Sequence, residues 1–111
     1  MAVDWSRAQT VHVKLGEYAF EPNSFAFKKG VVYHLHLKNS GKELHEFASP
    51  AFFKAIRMRN PKVLNADQTE IDVQPGKSAD LFFVAVTPGA YELRCPDHDW
   101  AGMVGDITIA P

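Results

Sequence analysis

Within nine residues, Cys95-Pro96-Asp97-His98-Asp99-Trp100-Ala101-Gly102-Met103 sets a thiol, an imidazole and a thioether in one segment, and Cys95 is the only cysteine in the chain. With one more histidine this is the soft donor set of a mononuclear copper site of the blue type. The natural candidate is His45, in the segment Asn39 to Phe47. The spacing C-x2-H-x4-M lets one tight loop wrap a metal, with Cys95 and His98 as strong ligands and Met103 as the weak, long axial one. Gly102, beside Met103, would let the backbone approach closely. Taken singly, each residue has a plainer explanation: a cysteine at a strand end is often inert, and a methionine often fills a core. The combination carries the information.

These residues need a scaffold that brings two distant segments together. Short alternating apolar runs recur between turn signals, the pattern of an all-β chain. The predicted strands are Val11 to Leu15, Phe25 to Phe27, Val31 to Leu37, Glu70 to Val73, Ser78 to Val86, Tyr91 to Cys95 and Val104 to Ala110. In the third of these, Val31, Tyr33, Leu35 and Leu37 share one face. Turns are expected at Gln74-Pro75-Gly76 and Thr87-Pro88-Gly89. About seven strands at this spacing suggest a two-sheet sandwich, whose end loops would gather the ligand segments. One short helix is expected between His45 and Cys95, in Ser49 to Arg57, with Ser49 as N-cap and Pro50 at N1.

The 111 residues suit a single domain, with no linker or internal repeat. A formal net charge of −1, with both signs interspersed, gives no footprint for nucleic acid or an anionic membrane. No stretch approaches the ~20 apolar residues of a membrane span, so no membrane insertion is expected. A lone cysteine excludes an internal disulfide and the paired spacing of a structural zinc site. It leaves a core thiol, a nucleophile or a ligand. A Cys-His hydrolase finds no separate acid-base constellation, and ligand spacing explains Cys95 better.

The chain resembles a cupredoxin, the family of plastocyanin, azurin and their bacterial relatives. The features that carry this are Phe20-Glu21-Pro22 and Phe25, Gly30 before a long alternating strand, Asn39 to His45, the Pro88-Gly89 turn, Tyr91 to Cys95, and Gly102-Met103-Val104-Gly105. The resemblance implies a Greek-key β-sandwich with one type 1 copper, His45, Cys95 and His98 equatorial and Met103 axial. It also implies that the backbone N–H after the first histidine, here that of Glu46, points at the cysteine sulfur. Asp97 follows Pro96 and keeps an N–H that could reach the sulfur too. Such bonds withdraw electron density from the thiolate and favour an oxidising centre, while the Asp97 and Asp99 charges act the opposite way.

One-electron transfer is the leading function class, with His98 as the exit and Pro96, Trp100 and Ala101 as an apolar patch for a transient redox partner. Trp100 is equally a candidate core aromatic. A narrower reading rests on Glu46, Asp97 and Asp99, which adjoin three of the four candidate ligands. Hard oxygen donors suit Fe(II), so these acids could hold ferrous iron as an electron-donating substrate, or they could simply solvate the rim. The His-Glu-Phe, Ser49 to Arg57 and Cys95 to Met103 segments are similar to the periplasmic cupredoxin component of bacterial Ftr-type ferrous-iron transport systems, which implies an iron permease as partner. The competing class is a non-redox copper carrier or resistance protein. Periplasmic location, with a signal peptide already removed, is implied by the family and by copper chemistry outside a reducing cytosol. His34 and His36 share a strand face and could form an H-x-H clamp for a second metal, although with Tyr33, Leu35 and Leu37 facing the core they are most simply surface residues. His12 is likewise read as a strand surface residue.

Overall fold

The computed structural model describes residues 2–111 and contains two five-stranded sheets. The first has the order β2-β1-β4-β8-β6, and the second β3-β10-β9-β5-β7. The strands are β1 (Gln9–Gly16), β2 (Ala19–Glu21), β3 (Ser24–Lys28), β4 (Val32–Asn39), β5 (His45–Ala48), β6 (Ile56–Met58), β7 (Glu70–Val73), β8 (Ser78–Ala85), β9 (Gly89–Arg94) and β10 (Val104–Ala110). Among the described residues only β1 with β2 and β9 with β10 pair as sequence neighbours; the other pairings link elements distant in the chain, as a Greek-key sandwich requires.

Alternation builds the core as expected. In β4, Tyr33, Leu35 and Leu37 are buried and the intervening His34 and His36 face outward, half-buried. The core is rich in aromatics: Phe27 meets Phe83 edge to face at 5.2 Å, and Phe83 meets Phe52 in the same manner at 5.5 Å. Such pairs add to the area they bury.

Three differences from the expected layout matter. Among the described residues there are ten strands rather than about seven, because β2, β5 and β6 are three or four residues long. The helix α1 spans only Pro50–Phe53, and its Ser49 makes no side-chain cap. Instead the Ser49 hydroxyl donates to the Glu92 carbonyl at 2.6 Å, fastening the helix start to β9. What α1 contributes is Phe52 and Phe53, both buried. The rest of the segment expected to be helical runs into β6, which pairs with β8 at the sheet edge.

Candidate metal centre

His45 is the first residue of β5, opposite Val73 on β7. The loop that delivers it is pinned by Asn39, which is fully buried. The Asn39 amide donates to the carbonyls of Glu43 and Val73, both at 2.8 Å, and its side-chain oxygen accepts the Gly41 N–H at 2.8 Å. One side chain thus fixes the loop at two points and ties it to the neighbouring strand.

Cys95 follows β9. Strand β5 pairs with β9 only at Ala48 and Arg94. Continued antiparallel pairing would set Pro96 opposite Glu46, and proline has no N–H to offer. The ladder stops there. The Glu46 N–H donates instead to Cys95 Sγ at 3.4 Å, the contact expected of the residue after the first histidine.

Backbone bonds close the following loop on itself. The Cys95 N–H donates to the Met103 carbonyl (3.1 Å), the His98 N–H to the Cys95 carbonyl (2.9 Å) and the Met103 N–H to the His98 carbonyl (3.3 Å). Asp99–Ala101 forms a 3-10 turn that ends at Gly102, with φ of 91°. A Cβ at Gly102 would meet nothing within 4 Å. The glycine therefore serves the left-handed backbone rather than the close approach anticipated from sequence. Close approach is instead the role of Gly41, where a Cβ would lie 2.9 Å from His45 Nε2.

The fold brings His45, Cys95 and His98 together, all buried, with one ligand atom from each within 4.8 Å of the others. Met103 is also fully buried, at the far end of the same loop. Cys95 Sγ lies 3.5 Å from His98 Nδ1, and the two imidazole rings are 4.9 Å apart. Both ring nitrogens of His45 are buried without a hydrogen-bond partner. Burial, aided by the nearby His98, lowers the His45 pKa and favours the free base. Burial also pushes the Cys95 thiol up, against the opposing pull of the Glu46 N–H. A neutral imidazole with an idle lone pair beside a buried thiol whose ionisation a bound cation would favour is a donor set that fits a soft metal ion.

The acids read from sequence divide. Glu46 is buried, and its Oε1 accepts the Asp97 N–H at 3.3 Å, bracing β5 against the Cys95 loop. Its other oxygen has no partner. Burial, then the Asp97 charge, raises the Glu46 pKa to about 7. Asp97 therefore gives its N–H to Glu46, although it also helps lower the Cys95 thiol. Asp99 turns to Arg94 at 3.4 Å. Among the described residues these three carboxylates do not form a common cluster.

Pro96, Trp100 and Ala101 are exposed, Trp100 at 78%, so Trp100 is a surface residue and not part of the core. His98, the expected exit, is only 7% exposed, because Tyr18 stacks on it with ring centroids 4.6 Å apart. The Tyr18 hydroxyl donates to Glu43 at 2.6 Å. Glu43 Oε1 lies 3.7 Å from His98 Nε2, and Glu17 Oε1 lies 3.8 Å from His45 Nε2. Tyr18, Glu17 and Glu43 escaped the sequence reading; the one local signal was their place in loops flanking Phe20 and His45.

Residues 3–109 match the family model described as a cupredoxin-like domain. The chain belongs to the cupredoxin family. Among curated proteins this cupredoxin is 28% identical to the copper-resistant cuproprotein CopI of Pseudomonas aeruginosa, over 94% of the chain and 77% of that protein. It is 33% identical to the chloroplastic plastocyanin of Oryza sativa subsp. indica, over 85% of the chain and 56% of that protein. Among solved structures auracyanin B superposes with a TM-score of 0.68 at 23% identity, covering 98% of this chain and 94% of that one. The likeness to auracyanin B shows the fold. Family membership and the His-Cys-His cluster together point to copper. Among the described residues, no helix is long and apolar enough to cross a membrane.

Proposed function

We propose that this cupredoxin is a type 1 copper protein that carries single electrons, with His45, Cys95 and His98 as the strong ligands and Met103 as the axial one. The observation that carries the reading is the buried His45-Cys95-His98 cluster with the unpartnered His45 nitrogens. Bound copper would supply the one-electron couple. The chain supplies rigidity. Backbone bonds through Cys95, His98 and Met103, together with the Asn39 pin, hold the donor atoms in place, so little rearrangement accompanies a change of charge. The Glu46 N–H spreads thiolate charge and favours the reduced state, while the buried Glu46 carboxylate opposes it.

Electrons would enter or leave at the Tyr18 and Trp100 surface over His98, where a redox partner protein could dock transiently. Cu(I)/Cu(II) chemistry at a thiol is better served outside a reducing cytosol, which supports the periplasm as its compartment. Ferrous iron as the donor draws on the acids beside the site, and an iron permease as partner on the likeness of the three segments to Ftr-type components. Glu46 and Asp97 adjoin each other beside Cys95, but Asp99 is committed to Arg94, so the support is two carboxylates rather than three.

A second reading, copper resistance by sequestration or hand-over, is favoured by the similarity to CopI over most of both chains. Titration with Cu(II) followed by visible and electron-spin-resonance spectra tests the site. An intense thiolate-to-copper band at one equivalent, lost in Cys95→Ser, is the expected result; a band retained in that variant overturns the ligand set. Full reversible bleaching by a one-electron reductant without metal release supports electron transfer, whereas release on reduction supports hand-over.

A further inference from the structure

The outward face of the first sheet carries a second group of metal-binding side chains that the copper site does not use. On β4, His34 and His36 project from one face, and Asp80 stands directly opposite His36 on β8. Asp80 Oδ1 lies 2.7 Å from His34 Nε2 and 2.6 Å from His36 Nδ1. One ligand atom from each residue falls within 4.8 Å of the other two. On the other side of β4, His12 of β1 is in register with His36, their rings 5.6 Å apart.

We propose that His34, His36 and Asp80 form a second binding site for a divalent first-row transition ion such as Zn(II) or Cu(II), with His12 alongside His36. The inference does not depend on the copper reading of the Cys95 site.

Two imidazoles and one carboxylate form a borderline N,N,O set that suits divalent zinc, copper or iron and, lacking sulfur, disfavours Cu(I). Such ions hold nitrogen and oxygen at about 2.0–2.2 Å. In tetrahedral geometry that separates ligand atoms by roughly 3.3–3.6 Å, so the present contacts need to open by about 1 Å or less. The donors stand on strands in the middle of a sheet, where positions are held better than on loops. The cluster is reachable: side-chain exposures are 22% for His34, 31% for His36 and 45% for Asp80.

The surroundings orient the donors. His34 stacks on Phe82, centroids 4.3 Å apart and planes 8° apart. Its Nδ1 lies 3.3 Å from the Thr10 hydroxyl. A hydroxyl can donate or accept. It therefore serves the ring when Nε2 donates its proton to Asp80, and equally when Nε2 turns its lone pair to a metal and the proton sits on Nδ1. Such outer partners fix the tautomer of a ligating histidine. Asp80 is ready as an anion: burial raises its pKa, but the hydrogen bonds from His36 and His34 outweigh this and hold it below the ordinary range.

The test is titration of the whole chain with Zn(II) at fixed neutral pH, read by the ring resonances of its five histidines, which separates this cluster from His45 and His98. The expected result is saturable movement of the His34 and His36 signals. Asp80→Asn and His34→Gln should each weaken that binding by roughly tenfold or more while leaving the Zn(II) response of His45 and His98 unchanged. Spectral dispersion confirms folding of each variant, and either one suffices. Static His34 and His36 signals in the wild type, or equal affinity in the folded variants, would overturn the site and leave an ordinary His-Asp hydrogen-bonded cluster.

Discussion

The Tyr18 ring lies stacked on His98, 25° from parallel and 4.6 Å between centroids, and its hydroxyl is tied to Glu43. The contact joins the turn after β1 to the loop after β9 and covers one face of the imidazole. Tyr18→Ala should expose His98 and raise several-fold the rate at which a small cationic reductant reduces the copper-loaded protein. Tyr18→Phe keeps the stack, loses only the Glu43 bond and should change the rate little. Stopped-flow reduction checks both. Equal rates for wild type and Tyr18→Ala would mean that the ring does not limit access.

Asn39 satisfies three backbone groups from inside the core. Asn39→Ala would remove its bonds to the Glu43 and Val73 carbonyls and the Gly41 N–H, at about 1–3 kcal/mol for each group left buried and unpaired. A loss of about 3 kcal/mol in denaturant unfolding is expected, with faster copper release because the loop holding His45 loosens. Asn39→Asp keeps the acceptor for Gly41 but loses both donated bonds, and should resemble the alanine variant in copper release.

The Glu46 and Glu70 contributions to metal-free stability should fall as pH rises from mildly acidic to neutral, against His45, whose lowered pKa acts in the opposite sense. Burial, foremost, lifts Glu46 from 4.5 to about 7, and Glu70 rises equally, chiefly through its hydrogen bond with Asp72. With folded pKa values above unfolded ones, the folded state binds more protons in that window. The stabilising contribution is complete below about 4.5 and is lost as pH passes about 7. Glu46→Gln should flatten the dependence and raise stability at pH 8. Urea unfolding of apo-protein across this range is the measurement; an unchanged slope in Glu46→Gln would show that Glu46 is not the group responsible.

Much of this was legible from residue types and spacing, because the long strands alternate and the Cys95 to Met103 segment carries its donors in one loop. Strand β5 was not: all four residues of His45–Ala48 are buried, and a run containing His and Glu shows no alternation. β6 is too short to display a period. Tyr18 was invisible for another reason, since its contact with His98 crosses eighty positions of sequence and depends on which way a turn side chain points. The H-x-H pair was readable as a pattern, but its carboxylate, Asp80, arrives from a strand more than forty residues away.

Two glycines separate backbone strain from crowding at the metal centre. At Gly102 a methyl group would enter open space but force an L-residue to φ of 91°, costing about 1–2 kcal/mol. At Gly41 a methyl group would press within 2.9 Å of His45 Nε2 and against the Glu17 carboxylate. Gly102→Ala should therefore lower stability by about 1–2 kcal/mol with little change in the copper spectrum, because the strain stays in the turn. Gly41→Ala should displace the His45 ring or Glu17 and shift the thiolate-to-copper band even where the stability loss is similar. Paired spectra and unfolding curves check this. If Gly102→Ala altered the spectrum more, the Met103 end of the loop would be the more sensitive support of the site.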